Sequence, residues 1–156
     1  MQLQPNSRHC FVCGVENKYG LHLRFYDTTE GEVIVETTVP EQFQGYPGIV
    51  HGGIVASLVD EALGRVHMGS PNDPRFMFTA RLTVNYRKPV PTGQPIKVVA
   101  QALKSKRRSA TSTAKVLGPD GELLAEAEAV LVNVPDEMVS NADLEALGWK
   151  IYPLEE

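Results

Sequence analysis

No apolar run in the 156 residues approaches the roughly 20 needed to cross a bilayer, and the opening stretch MQLQPNSRHC has no secretory apolar core. The expectation is a cytoplasmic protein with no membrane partner. A basic excess is missing too. Lys and Arg number 15 against 19 Asp and Glu, and the resulting net charge of −4 argues against a nucleic-acid partner. Cysteine is scarce: Cys10 and Cys13 form a lone CxxC with no second pair, so the four-ligand set of a structural zinc site is absent, and His9 and His22 match no zinc spacing. The stretch after the pair, GVENKYG, reads as a turn, whereas a thioredoxin-like motif opens a helix. We read the pair as reduced structural thiols, with metal ligation and redox chemistry as the alternatives and no metal expected. Repeats, low-complexity tracts and linkers are also missing.

What is present suits an ordinary globular domain. With 42% hydrophobic and 22% charged residues, the chain has enough apolar material to bury a core by itself. One domain over residues 1–156 is expected, its core at about 20–134 after an irregular N-terminal segment. Residues 21–27 (LHLRFYD) and 32–39 (EVIVETTV) alternate apolar and polar around the turn TTEG, which predicts a hairpin. PEQFQGYPG (40–48) reads as loop. From Gly53 to about Met68 no proline occurs and apolar residues recur at helical spacing, until GSPNDP (69–74) breaks the helix. Four strand-like runs follow: FMFTARLTVNYR, PIKVVAQALKS, SATSTAKVL and ELLAEAEAVLVNV. The Ala/Glu alternation of the last gives it one buried and one solvated face. The tail NADLEALGWKIY predicts a short amphipathic helix. The order strand–strand–helix–four strands defines an α+β domain with an antiparallel sheet around a central helix.

That helix has an unusual second face. At about 100° per residue, Val55, Leu58, Val59, Ala62 and Val66 form one apolar stripe, which should lie against the sheet. The opposite side carries Gly53, Ala56, Ser57, Asp60, Gly64 and His67, all small or polar. A solvated face would more naturally carry Lys, Glu or Gln, so this one is shaped for the close approach of a backbone or a thin ligand. Solvent exposure of Asp60, or packing of a second helix, are the bland alternatives. Glu61 with Arg65 four residues later has the favourable order for an exposed ion pair and is read as structural.

Before the helix stands HGG, residues 51–53. Glycines at a helix N-terminus leave backbone N–H groups uncovered at the positive end of the helix dipole, which suits an oxyanion hole for a carbonyl going tetrahedral. Geometry adds a constraint. Gly52 and Asp60 stand about 12 Å apart along one helix axis, whereas a nucleophile or base and its oxyanion donors must converge within about 3–4 Å of one carbonyl. One copy of the helix cannot supply both. Two antiparallel copies can, so a functional site here requires a two-fold dimer, with the small-residue face permitting the approach.

PGIVHGGIVASLVDEALG, with the strand–helix–strand order, resembles the signature of hot-dog-fold acyl-CoA thioesterases of the phenylacetate-pathway type, over roughly residues 9–134. The opening CFVCGVENKYGLHLRF resembles a subgroup that includes relatives of the human mitochondrial enzymes. The resemblance implies hydrolysis of an acyl-CoA to a free acid and CoA, with no cofactor beyond the CoA of the substrate, in a homodimer or a dimer of dimers. Asp60 matches the family's catalytic carboxylate, and Gly52 or Gly53, following His51, matches the backbone donor to the thioester carbonyl. His51 is assigned to shaping the turn, with a general-base role as the alternative. Thr79 falls where some relatives place a hydroxyl that positions the water or carboxylate. The family often has an Asn about six residues before the motif His; this chain has Gly45 there, and Gln44 is the nearest substitute. Lys88 borders the nucleotide side in relatives. In KSKRRS (104–109), Lys104, Lys106, Arg107 and Arg108 are either a solvated hairpin turn or contacts for CoA phosphates, which Arg suits by its planar fork. Phe76, Met77 and Phe78 line an acyl tunnel or fill core.

The carboxylate chemistry is sufficient because a thioester is already activated toward acyl transfer. A non-catalytic acyl-CoA sensor on the same fold is the main rival, since fold does not fix function. A buried carboxylate is costly to desolvate and adds little to binding a neutral thioester, which favours the enzyme. A hydratase would want a His beside an acid, and only His67 shares the face of Asp60.

Overall fold

Residues 52–65 carry no proline and repeat apolar side chains every three to four positions, and they form the long helix α1 (Gly52–Arg65). Val55, Leu58, Val59, Ala62 and Leu63 are all but inaccessible to solvent, while Val66, placed on the same stripe by spacing, follows the helix and is only half-buried. The computed structural model describes residues 1–139 and 143–154. Around α1 curves a seven-stranded antiparallel sheet made of β1 (Gln2–Leu3), β2 (Tyr26–Asp27), β3 (Glu32–Thr38), β4 (Met77–Tyr86), β5 (Pro95–Ser105), β6 (Ser109–Leu117) and β7 (Leu123–Asn133), in the order β1-β2-β3-β5-β6-β7-β4.

The sheet can wrap the helix for two reasons. Its inner face is rich in alanine, with Ala100, Ala110, Ala114, Ala125, Ala127 and Ala129 all buried, so the α1 backbone lies close. Irregular pairings between Ala102 and Lys104, Thr79 and Arg81, and Val116 and Leu117 add the local twist that curves long strands. Ser112 on β6 donates its hydroxyl to Leu63 O at 2.8 Å and pins the last turn of α1 to the sheet. Ser112 is fully buried, so the bond also satisfies both groups.

The four long strands and the helix stand where periodicity placed them. The first hairpin does not. Of residues 21–27 only Tyr26 and Asp27 pair with β3, while Leu21 and Leu23 instead donate to the carbonyls of Phe11 and Val12. The N-terminal segment also contributes β1 to the sheet edge, and its polar side chains are buried: Asn6 donates to the carbonyls of Cys13 and Leu23 at 2.7 and 2.8 Å. In the tail the described helix α2 runs Asp143–Leu147, and residues 141 and 142 of the expected helix lie outside the described residues. No helix among the described residues is long and apolar enough to cross a membrane.

Candidate active site

The HGG turn is organised by a side-chain cap. His51 sits at the N-cap of α1, and its Nδ1 accepts the Gly53 N–H at 2.9 Å, satisfying one of the orphan donors of the first turn. A side chain at Gly53 would place its Cβ 3.1 Å from that nitrogen, so the glycine makes room for the cap. With the Gly53 amide engaged, the donor left free at the positive end of the helix is Gly52, whose N–H makes no hydrogen bond among the described residues. The Tyr86 hydroxyl, at the end of β4, donates to Gly52 O at 2.6 Å and steadies the peptide from the other side. Sequence reasoning missed Tyr86, since its contact spans 34 residues.

Asp60 lies half-buried two turns further along α1. Thr79 on β4 donates its hydroxyl to Asp60 Oδ1 at 2.6 Å, next to the irregular pairing that re-aims this part of the strand. That bond fixes one carboxylate oxygen and leaves the other unclaimed by Thr79. Asp60 and Thr79 open onto a cavity of about 230 Å³ with Met68, Phe76 and Met77 in its wall, and Phe78 points away, 45% exposed. The tail closes the same cavity through Leu147 and Trp149, with Trp149 edge-on to Phe76 at 5.2 Å between centroids.

Gly52 opens elsewhere. His51, Gly52, Tyr86 and Lys88 line a separate cavity of about 480 Å³, and Gly45 borders it while Gln44 lines neither space. Lys106, Arg107 and Arg108 form the exposed turn between β5 and β6, held by Lys106 N–H to Ser109 O at 2.8 Å and by Asn133, which donates to Arg107 O at 2.7 Å. Because Asn133 pairs with Met77, this turn lies by the start of β4, whereas Lys88 lies beyond its end. The structure thus brings Asp60 to Thr79 and Gly52 to Lys88, but does not bring the two halves together within one chain. The His67 ring is engaged by a hydrogen bond with Thr111 O at 2.9 Å, and no ion pair joins it to an acidic side chain among the described residues.

The Glu61–Arg65 pair departs from expectation. Arg65 Nε meets Glu61 Oε1 at 3.1 Å, but Arg65 is 2% exposed, not solvated. Its guanidinium lies over the Phe25 ring at 4.3 Å, and its Nη1 donates to Gln4 Oε1 and Pro5 O. The N-terminal segment, which an i,i+4 spacing cannot foresee, is what covers it. Burial pushes the Glu61 carboxyl up to about 7, against the opposing pull of Arg65. Beside it, hydrogen bonding from Cys13 holds the Cys10 thiol down to about 6, while the Cys13 thiol is pushed up to about 12 by that same bond and by burial.

An antiparallel sheet wrapped on one long helix defines the hot-dog class of α+β proteins. The chain belongs to the thioesterase superfamily, whose family model matches residues 47–125. The acyl-coenzyme A thioesterase THEM4 of Bos taurus is 27% identical over 132 residues, 83% of this chain and 53% of the relative. The crystal structure of the thioesterase superfamily protein RHA08564 superposes with a TM-score of 0.72 at 28% identity, over 80% of this chain and 63% of that one. Zebrafish thioesterase superfamily member 2 gives 0.64 at 26% identity, over 74% and 83%. The chain spans about half the length of the curated relatives it matches.

Proposed function

We propose that this chain hydrolyses an acyl-CoA thioester to a carboxylic acid and CoA, as a thioesterase of the phenylacetate-pathway type, at a site shared by two copies. The observation that carries this reading is the pairing of a hydroxyl-held carboxylate, Asp60, with an uncommitted amide, Gly52, on the same helix but facing different cavities. A two-fold partner presents its Gly52 to this chain's Asp60 and the reverse, giving two equivalent sites. The exposed edge supports such pairing. Among the described residues β4 has a strand neighbour on one side only, and Phe78 and Tyr86 on it are about half exposed, an apolar edge that natural proteins normally cover.

In that assembly the thioester carbonyl oxygen takes the Gly52 N–H, which stabilises the charge developing as the carbon becomes tetrahedral. The Asp60 oxygen that Thr79 leaves free delivers the oxygen nucleophile, by its own attack or by taking a proton from water. Collapse of the intermediate breaks the C–S bond, and CoA leaves as thiolate and is protonated; after direct attack, water then cleaves the acyl–Asp60 anhydride to free the acid and restore the carboxylate. The acyl group occupies the space walled by Met68, Phe76 and Met77. An antiparallel pairing also carries one copy's Lys106–Arg108 turn toward the other's Lys88, a basic surround for the CoA phosphates. The naming of the THEM4 relatives as acyl-coenzyme A thioesterases supports the substrate class.

The test is a panel of short, medium, long and aromatic acyl-CoA esters with free-thiol release as readout. Turnover of at least one ester is expected, reduced about 10²-fold or more in Asp60→Asn, in line with the loss of a general base. Wild-type rates in Asp60→Asn would overturn the assignment. Tight binding without turnover across the panel would favour the sensor.

A further inference from the structure

The CxxC pair is not used by the proposed hydrolysis, yet the fold gives it a third partner from a distant element. Cys10 and Cys13 lie on the N-terminal segment, and Glu61 reaches them from α1; the two sulfurs and a Glu61 carboxylate oxygen all lie within 4.8 Å of one another. Cys10 Sγ and Glu61 Oε2 are 4.0 Å apart. We propose that Cys10, Cys13 and Glu61 form a binding site for a thiophilic divalent cation such as Zn²⁺, with a water from the adjoining cavity as fourth ligand.

Four features of the chain support this. The pair is presented on a tight knuckle: Gly14 N–H donates to Cys10 O at 2.7 Å, and the Val12 N–H points at Cys10 Sγ at 3.4 Å, a backbone bond that favours the thiolate a metal needs. The glycine is required there, because a Cβ on Gly14 would lie 2.3 Å from Cys10 O. Arg65 then orients the third donor. Its Nε holds Glu61 Oε1 at 3.1 Å and leaves Oε2 turned to Cys10, the role that outer partners play around metal ligands. The charges also close: two thiolates and one carboxylate against a divalent ion and the Arg65 guanidinium sum to zero, which makes a buried ion tolerable. Finally, Cys10, Cys13 and Glu61 line the same cavity as Asp60, so the fourth position is open to water. Zn–S bonds of about 2.3 Å and Zn–O bonds of about 2.0–2.2 Å put tetrahedral donors somewhat closer than they stand, a closure within reach of side-chain rotation. Each thiol gives up its proton to solvent as the metal binds. The ion would staple the N-terminal segment to α1.

Zn²⁺ alone is the probe, added to the full chain after reduction with a phosphine and removal of free metal. One equivalent per chain should survive gel filtration and raise the melting temperature, and Co²⁺ in its place should show thiolate-to-metal charge-transfer absorption. Cys10→Ser, at the half-exposed thiol, should lose all three signals, and Glu61→Gln should lose retention while keeping two reduced thiols. Asp60→Asn should keep the full equivalent. Reduced protein that retains no metal, a full equivalent in Cys10→Ser, or loss of the metal in Asp60→Asn would each overturn the site. So would a Cys10–Cys13 disulfide forming as readily in the presence of excess Zn²⁺ as in its absence.

Discussion

At the scale of single residues, the division of labour between the two glycines is the finding the sequence could not supply. HGG marks both as candidate donors, but the position of the His51 ring separates them: its Nδ1 takes the Gly53 amide, and the Gly52 N–H has no partner among the described residues, which makes it the donor of the proposed site. The distinction can be tested without adding a bulky group. Gly52 is the first helical residue, where proline is tolerated because its missing N–H had no intrahelical partner. His51, with φ −54° and ψ 136°, already has the extended backbone that a following proline demands, and a Cβ at Gly52 meets the Tyr86 ring at an ordinary 3.6 Å. Gly52→Pro should therefore fold normally by circular dichroism yet turn over acyl-CoA about 10²–10³-fold more slowly, the cost of one oxyanion donor. Unchanged turnover would move the donor role elsewhere. The motif singles out Asp60 and the family resemblance singles out Thr79; that the hydroxyl meets the carboxylate, beside the irregular pairing at Ala80, is something no periodicity reveals.

Among the elements, legibility follows length. β5 and β6 run Pro95–Ser105 and Ser109–Leu117, the bounds their alternation gave, because nine or more residues of period two leave little freedom of register. β1 is two residues long and carries no period, so the N-terminal segment reads as irregular up to Gly20, although it is fastened to the sheet and to α1, and β2 keeps only Tyr26–Asp27 of the alternating run 21–27. Its covering of Arg65 turned an expected surface pair into a buried one. Spacing announces that Glu61 and Arg65 meet, but burial comes from Gln4, Pro5, Phe25 and Trp149, all remote in sequence. A consequence follows for stability. Removing one partner of a buried pair strands the other, so Arg65→Ala should lower the free energy of unfolding in urea by about 3–5 kcal/mol. A loss under about 1 kcal/mol, as for an exposed pair, would show that the N-terminal segment does not enclose it.

At the scale of the whole molecule, each chain of the proposed assembly holds half of each of two sites. Asp60 and Gly52 lie about 12 Å apart along α1 and open onto different cavities, so their convergence on one carbonyl needs a second copy related by a two-fold axis. Subunit complementation tests this directly. Asp60→Asn and Gly52→Pro proteins are each prepared separately, then mixed in equal amounts, dissociated and allowed to reassociate. In a mixed dimer one site receives both defects and the other receives neither, so random reassociation should restore about a quarter of wild-type thiol release from two nearly inactive proteins. If the mixture, shown by mass-tagged chains to contain mixed dimers, stays as inactive as its components, both groups act within one chain and the shared site is wrong.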